Sequence, residues 1–114
     1  MVRSYKKEIL ERIVELPYPK KCLGLVDSSY PLYVIETREK KVFLSAGIHG
    51  NEPAGVYALL DFLEGEITPY LPLFQCTIFP CLNPWGFENN QRRDSHGGDL
   101  NRSFFNGENP YFDF

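Results

Sequence analysis

The chain has 114 residues, of which 43% are hydrophobic and 24% are charged, and its formal net charge is −3 at pH 7. These values are ordinary for a globular protein and predict a single domain over residues 1–114 with a modest core. The negative charge gives no support for binding to nucleic acid or to an anionic membrane surface. Because no apolar run reaches membrane-spanning length and no signal peptide follows Met1, we expect a cytoplasmic location.

The three cysteines, Cys22, Cys76 and Cys81, are odd in number and form no Cys-x-x-Cys pair. This spacing indicates neither a disulfide framework nor a cysteine zinc site. No histidine is paired with any of them in an interpretable motif, which argues against a catalytic cysteine. We expect all three to be small buried apolar residues in strands.

The first predicted element is a helix that Ser4 caps and that Pro17 ends, with an apolar stripe along one face. A strand follows at 22–27, and a second strand at 32–37 is rich in β-branched and aromatic residues. The turns after these strands are short and polar. They indicate a meander that leads into a third strand.

The third strand is predicted at 42–48 as a central and buried element, because its residues form a short apolar run. An amphipathic helix at 53–64 and another strand at 74–82 come next, and together they predict a right-handed βαβ unit with parallel pairing. Pro80 indicates an edge or a terminating position in the last strand. From Asn83 onward there is almost no periodicity, which predicts a long functional or disordered loop.

The loop between the third strand and the following helix contains His49 and Glu52 in the run Gly-Ile-His-Gly-Asn-Glu-Pro. Ligands commonly bind at this point in open α/β sheets, where a strand ends and a helix begins. An imidazole and a carboxylate with two residues between them can converge on one ion, and nitrogen with oxygen ligation suits zinc. The spacing alone is weak evidence, since most His-x-x-Glu pairs are surface residues. We expect Pro53 to begin the helix and Asn51 or Glu52 to cap it.

A second group of motifs lies downstream, with Asn-Pro-Trp-Gly at 83–86 and Gly-Asp-Leu-Asn-Arg-Ser-Phe at 98–104. Alone, the first predicts a turn, and the arginines nearby predict solvated surface charge. Combined with Gly-Ile-His-Gly-Asn-Glu-Pro-Ala-Gly at 47–55, they resemble the zinc carboxypeptidase superfamily over about residues 41–105. That superfamily includes the metallocarboxypeptidases, the bacterial murein-peptide amidases and the succinylglutamate desuccinylase/aspartoacylase group.

The resemblance implies an α/β fold of the phosphorylase/hydrolase-like type, with a mixed, mostly parallel sheet and flanking helices. It also implies that His49 and Glu52 are the first two ligands of a Zn²⁺ ion. Asn101 and Arg102 match the pair that binds the carboxylate of the substrate, a task suited to the planar, bidentate guanidinium.

Arg92 best matches the arginine that polarises the scissile carbonyl and stabilises the oxyanion, with Arg93 as the alternative. The spacing of Arg92 to the Asn-Arg pair resembles the amidase branch, whereas the aspartoacylase branch places this arginine closer to the pair. The implied mechanism is metal-assisted hydrolysis, in which zinc activates water and a glutamate takes its proton. Asp99 is expected to fix the loop as a hydrogen-bond acceptor rather than to act chemically.

The third zinc ligand and the general base of the family lie downstream of the matching segment, beyond this chain. His96 lies in a loop, so the third-ligand role is not carried onto it, and neither Glu88 nor Glu108 matches the base. The chain also ends in an apolar tail at 110–114, which we interpret as an interruption. We expect residues 1–114 to be the amino-terminal part of a single zinc-hydrolase domain, which is therefore incomplete. We also expect this chain to bind zinc weakly and to self-associate through its incomplete sheet.

The predicted function is that of a zinc-dependent hydrolase that cleaves an amide bond next to a free carboxylate in a small peptide. An alternative within the same class is an N-acyl amino acid deacylase of the aspartoacylase/succinylglutamate desuccinylase type. An alternative from another class is a catalytically inactive domain that binds carboxylate ligands or a partner through Arg92, Asn101 and Arg102 without metal.

Overall fold

The computed structural model of the chain describes residues 2–36, 42–71 and 76–103, which form a mixed α/β fold as predicted. In chain order the elements are a π-helical turn (Lys6–Leu10), α1 (Glu11–Glu15), β1 (Lys20–Val26), β2 (Tyr30–Glu36), β3 (Val42–Ser45), α2 (Ala54–Glu64), β4 (Cys76–Phe79), α3 (Pro84–Asn89) and α4 (Leu100–Ser103). None of the helices within these ranges is long and apolar enough to cross a membrane.

The first helical segment is capped by Ser4, as predicted. The Ser4 hydroxyl accepts a hydrogen bond from the Lys7 amide at 3.2 Å, and the Ser4 amide donates to the Glu8 carboxylate at 2.6 Å. This reciprocal arrangement satisfies amides that a helix start leaves without partners. The helix ends at Glu15, two residues before Pro17, which also agrees with the prediction.

The described sheet has the strand order β1-β2-β4-β3. β1 and β2 form an antiparallel hairpin, β2 and β4 are antiparallel, and β3 and β4 are parallel. The expectation of a mostly parallel sheet is therefore wrong for the described strands, because two of their three pairings are antiparallel. A hairpin whose turn contains Asp27 and Ser28, both with positive φ, can only return antiparallel.

β3 lies at the edge of the described sheet, so the prediction of a central and buried strand is wrong. β4 is inserted between β2 and β3, and the predicted meander stops after its first hairpin. Val42 is 46% exposed and Phe43 is 58% exposed. The parallel β3–α2–β4 unit itself is confirmed, and β4 ends at Phe79, just before Pro80.

The core lies where the helices pack on the sheet. Its buried members come from the first helical segment, from α2 and α3, and from β2 and β4, and include Ile9, Ile13, Ile35, Val56, Leu60, Leu63, Ile78 and Phe87. In parallel register, Leu44 of β3 stands beside Ile78 of β4, so these side chains share a face of the sheet. This packing fixes the end of β3 relative to the start of α2.

Two helix starts differ from the sequence predictions. Pro53 occupies the capping position of α2 rather than its first turn, and no side chain caps this helix. Glu52 is unavailable as a cap because its carboxylate contacts His49. The segment after Asn83, predicted as a loop, contains the short helix α3, in which the Asn83 side chain accepts a hydrogen bond from the Gly86 amide at 2.9 Å.

The cysteines divide by position in the sheet. Cys76 and Cys81 are buried as expected, although Cys81 lies just beyond β4, and all three are free thiols. Cys22 is exposed, contrary to the prediction, because it lies on the outer strand β1 beside a register shift of the hairpin. Burial raises the pKa of Cys81 to about 12 despite an opposing backbone hydrogen bond at Asn83, so this thiol is unreactive near neutral pH.

Candidate metal centre

The backbone pairing of β3 with β4 continues beyond the ends of both strands and positions the His49 loop. The Leu82 amide donates to the Ala46 carbonyl and the Asn83 amide donates to the Gly47 carbonyl, each at 2.9 Å. Gly47 has φ +73°, and a Cβ there would lie 2.8 Å from a methyl group of Val56. Both the backbone conformation and the space therefore require glycine at this bend.

Gly50, next to His49, packs directly against the backbone of α3. A Cβ at Gly50 would lie 2.0 Å from the carbonyl carbon of Gly86 and 2.4 Å from the carbonyl oxygen of Gln91. No side chain fits into that space without moving the backbone. The loop that carries His49 and Glu52 is thus held against α3 by close packing.

His49 lies between two carboxylates, and its side chain is 14% exposed. Its Nδ1 is 2.9 Å from Oε2 of Glu52, and its Nε2 is 3.2 Å from Oδ1 of Asp99. A neutral imidazole has one N–H, so it donates to one of these neighbours. Asp99 is the buried carboxylate, with 4% of its side chain exposed against 67% for Glu52. Because a buried acceptor must find its hydrogen bonds within the protein, we assign the N–H to Asp99. In the tautomer that carries the proton on Nε2, His49 donates to Asp99 and its Nδ1 lone pair faces Glu52.

Asp99 connects four of the residues singled out from the sequence. Besides contacting His49, it accepts hydrogen bonds from Nε of Arg92 at 3.2 Å and from the backbone amide of Asn101 at 3.1 Å. Nε of Arg102 lies 3.7 Å from the same carboxylate. Burial raises the pKa of Asp99, but hydrogen bonds from His49 and Arg92 and the positive charge of Arg92 outweigh it and lower the pKa overall. Asp99 is therefore an ionised acceptor at neutral pH.

The two candidate arginines have different surroundings. Arg92 uses Nε for Asp99, and no described residue accepts a hydrogen bond from its terminal Nη groups. Arg93 is exposed, and its Nη1 donates to the carbonyl of Gly97 at 3.2 Å. The structure thus brings Arg92 to the carboxylate that holds His49, and it brings Arg93 to the neighbouring turn.

The remaining candidates lie apart from His49. His96 has 73% of its side chain exposed, and its Nε2 is 3.7 Å from Asp27. Glu88 accepts hydrogen bonds from the Tyr5 amide and the Tyr30 hydroxyl, which is a structural role. The tail at 110–114 and Glu108 lie outside the described residues.

The sequence did not predict that Asp99 contacts His49. An acceptor role within the loop was predicted, and the Asn101 amide fulfils it. The contact with His49 joins residues 50 positions apart, and no local spacing encodes it. The contact could have been predicted only from the chemistry of the side chain. A carboxylate can accept a hydrogen bond from a metal-binding histidine as well as from a backbone amide.

The donor atoms fit two ligands of one zinc ion. Two ligand atoms of a tetrahedral zinc with bonds of about 2.0–2.1 Å lie about 3.3 Å apart. The 2.9 Å between Nδ1 of His49 and Oε2 of Glu52 requires only a small opening to reach that separation. Among the residues that the structure describes, no group of three or more His, Cys, Asp or Glu side chains is arranged to hold a metal.

Comparison with protein families matches residues 38–109 to the succinylglutamate desuccinylase/aspartoacylase catalytic domain. The matched range contains His49, Glu52, Arg92 and Asp99, all of which lie at the site described above.

Individual relatives carry peptidase and amidase names. The chain is 34% identical to mouse carboxypeptidase D over 89 residues, which is 62% of this chain and 6% of that protein. It is 31% identical to carboxypeptidase SOL1 of Arabidopsis thaliana, with coverage of 72% of this chain and 20% of that protein. Among solved structures, murein-tripeptide amidase MpaA of Escherichia coli O157 is 27% identical with a TM-score of 0.66, covering 86% of this chain and 41% of that one. The chain thus spans less than half the length of each of these proteins.

Proposed function

Because this chain belongs to the succinylglutamate desuccinylase/aspartoacylase catalytic domain family, we propose that His49 and Glu52 are the first two zinc ligands of a hydrolase. The resemblance to the zinc carboxypeptidase superfamily is confirmed, and the chain belongs to a superfamily of hydrolases. The proposed reaction is cleavage of an amide bond next to a free carboxylate. Since the chain spans only part of its relatives, the proposal concerns a catalytic domain of which residues 1–114 would be the amino-terminal part.

One observation carries the proposal, namely the placement of His49 between Asp99 and Glu52. A histidine that binds a metal through one nitrogen usually donates its other N–H to a carboxylate or carbonyl, which fixes the ring and its tautomer. Asp99 is buried and ionised and its Oδ1 contacts Nε2 of His49, so it can accept that N–H and fix the ring. Nδ1 and the exposed Glu52 carboxylate are then left to face a metal together.

A zinc ion bound here would supply Lewis-acid polarisation of a carbonyl and a water of lowered pKa. Arg92 donates a hydrogen bond from Nε to the Asp99 carboxylate, so its Nη groups can donate to an oxygen atom of the substrate. Because Asp99 holds both side chains, the separation of Arg92 and His49 is fixed before a substrate arrives. Such preorganised donors stabilise negative charge that develops on a carbonyl oxygen.

The substrate is proposed to carry a carboxylate because two guanidinium groups, those of Arg92 and Arg102, lie at the single carboxylate of Asp99. Arg102 has 80% of its side chain exposed, and Asn101 is also exposed. Asp99 is shared by Arg92 and Arg102, so one carboxylate faces two guanidinium groups. The exposed guanidinium of Arg102 and the forked donors of arginine suit a carboxylate ligand.

The second candidate, an N-acyl amino acid deacylase, is favoured by the family whose model matches the chain. The peptidase and amidase candidate is favoured by the names of the individual relatives. Both proposed reactions would use the metal ligands His49 and Glu52 and the carboxylate-binding pair Asn101 and Arg102. The part of the substrate that lies beyond the scissile amide distinguishes them.

The test compares dipeptides with N-acetyl and N-succinyl amino acids as substrates for the zinc-loaded protein that carries this chain. Each substrate is also assayed with its free carboxylate converted to the amide, which we expect to lower kcat/KM by about a hundredfold because a charge-assisted pair is lost. Arg102→Lys should remove most of that discrimination, and Arg12→Lys, at a surface ion pair with Asp61 and Glu64, is the matched control.

Equal hydrolysis of free and amidated substrates would contradict the proposed role of the carboxylate. Binding of N-acyl amino acids that requires Arg102, with no hydrolysis of either class, would instead support the inactive carboxylate-binding domain.

A further inference from the structure

Arg3 is a buried cation that joins three separate parts of the chain. It is 7% exposed, and arginine is rarely buried unless its guanidinium finds partners. Its Nε donates to the Phe87 carbonyl at 2.6 Å, and its Nη2 donates to the Gly50 carbonyl at 3.3 Å and to Oδ1 of Asn90 at 2.8 Å. The guanidinium carbon also lies 4.9 Å from the centre of the Phe87 ring.

Two of these contacts complete the end of α3. The Phe87 carbonyl is among the last four of the helix, which have no partner within it. Asn90 follows α3 with φ 55° and ψ 45°, the left-handed conformation that commonly ends a helix. A cation at the carboxyl end of a helix is favourable for the helix dipole as well.

The third contact is not needed to end α3, since the Gly50 carbonyl belongs to the loop that carries the proposed metal ligands. Gly50 follows His49 directly and lies two residues before Glu52. Its backbone already packs on Gly86, where a Cβ would lie 2.0 Å from the carbonyl carbon. The loop is therefore held to α3 twice, by this packing and by Arg3.

We propose that Arg3 is a positioning residue for the metal centre. Its guanidinium holds the Gly50 carbonyl against the end of α3 and thereby sets the separation of the His49 and Glu52 donor atoms. The inference rests on the proposed function insofar as the pair binds zinc. The mechanical part, that Arg3 holds the loop, stands on the hydrogen bonds alone.

The segment that carries Arg3 is itself fixed, so the guanidinium has a firm base. The Tyr5 amide donates to Glu88 at 3.0 Å, and the Tyr5 hydroxyl donates to the Pro31 carbonyl at 2.8 Å. Tyr5 is 2% exposed, and its ring meets that of Tyr30 edge-on with centroids 6.0 Å apart. Movement of Arg3 away from the loop would require breaking this anchor.

Only arginine suits the arrangement. Within the described part of the chain, the acceptors of Arg3 are two carbonyls and one amide oxygen, and none is a carboxylate. A planar guanidinium reaches all three from one position, whereas the compact ammonium of lysine cannot. Arg3→Lys therefore keeps the charge at the end of α3 but loses the hydrogen bond to the Gly50 carbonyl.

The test uses Arg3→Met and Arg3→Lys, with Arg12→Met as the matched control that removes an arginine held by Asp61 and Glu64. Amide hydrogen exchange of the zinc-free chain reports on the loop through the Glu52 amide, which donates to the His49 carbonyl at 3.1 Å. We expect exchange at Glu52 to quicken at least tenfold in both Arg3 variants, relative to the amides of α2. The zinc affinity of the His49 site, followed by the NMR shifts of the His49 ring, should fall about tenfold in both.

Three results separate the inference from the proposed function. Faster exchange of all amides in parallel, with Arg12→Met behaving alike, would overturn the positioning role and leave a general effect on stability. Unchanged Glu52 exchange with normal zinc binding at His49 would overturn the inference alone. Faster Glu52 exchange in the Arg3 variants, combined with a His49 ring that does not respond to zinc in the parent chain, would support the contact of Arg3 with the loop and overturn its link to the metal.

Discussion

The loop between β3 and α2 carries His49, and the segment at 91–103 contacts it through Asp99. Different forces hold these two regions in place. The first is held mainly by close packing, because Gly47 and Gly50 leave no room for a Cβ, and Arg3 adds a hydrogen bond to the Gly50 carbonyl. The second is held by charge and hydrogen bonding, because Asp99 accepts from two side chains and an amide, and Asp94 accepts from two amides. One side of the site should therefore fail when volume is added and the other when a carboxylate is removed.

The largest effect is expected from Gly50→Ala. The added Cβ would overlap the Gly86 backbone, so the free energy of unfolding should fall by about 3 kcal/mol or more. Gly55→Ala is the matched control, since a Cβ there has no neighbour closer than 3.8 Å and alanine favours the helix. Urea denaturation followed by circular dichroism measures both. Equal stability of the two variants would mean that the loop does not pack on α3 as described.

A smaller loss is expected from Asp99→Asn, which keeps the shape and removes the charge. The free energy of unfolding should fall by about 1–2 kcal/mol because charge-assisted hydrogen bonds to Arg92 and His49 are weakened. The new amide can donate to Nε2 of His49 and so move the proton to Nδ1. Zinc affinity should then fall by about 10–100-fold.

Long-range ¹H–¹⁵N NMR of the histidine ring measures that tautomer. Asp27→Asn is the control, because Asp27 is the carboxylate beside the other histidine, His96. A His49 ring that keeps its proton on Nε2 in Asp99→Asn, with unchanged zinc affinity, would contradict the role assigned to Asp99.

The smallest effect is expected from Asp94→Ala. Its carboxylate accepts the amides of His96 at 2.9 Å and Gly98 at 2.8 Å, so its removal should lower the free energy of unfolding by about 1 kcal/mol. Amide shifts should change at residues 95–98 and stay the same in the loop at 47–52. Equal changes in both regions would show that the two are not held independently.

The sequence was most informative where the chain uses local rules. The Ser4 cap, the first hairpin and the β3–α2–β4 unit follow from capping, turn and periodicity patterns, and the structure contains them all. The same holds for the motifs that indicated the family. The short helix α3 could also have been predicted, because Asn83 followed by Pro84 is a helix-start pattern.

What could not be predicted depends on contacts between distant residues. The insertion of β4 between β2 and β3 places β3 at the edge of the described sheet, and no local pattern encodes a pairing such as Ile35 with Ile78. The contacts of Asp99 with His49 and of Arg3 with Gly50 are similarly remote in sequence. Self-association of the chain and its cytoplasmic location stay predictions.

The central claim is that His49 and Glu52 bind zinc, and an NMR-detected zinc titration of the parent chain, His49→Ala and His96→Ala tests it most directly. We predict that zinc shifts the signals of the His49 ring and the Glu52 carboxylate in the parent. The response of Glu52 should persist in His96→Ala with the same affinity and disappear in His49→Ala. His49 and Glu52 signals that stay unmoved at millimolar zinc, or a response that depends on His96 instead, would contradict the claim.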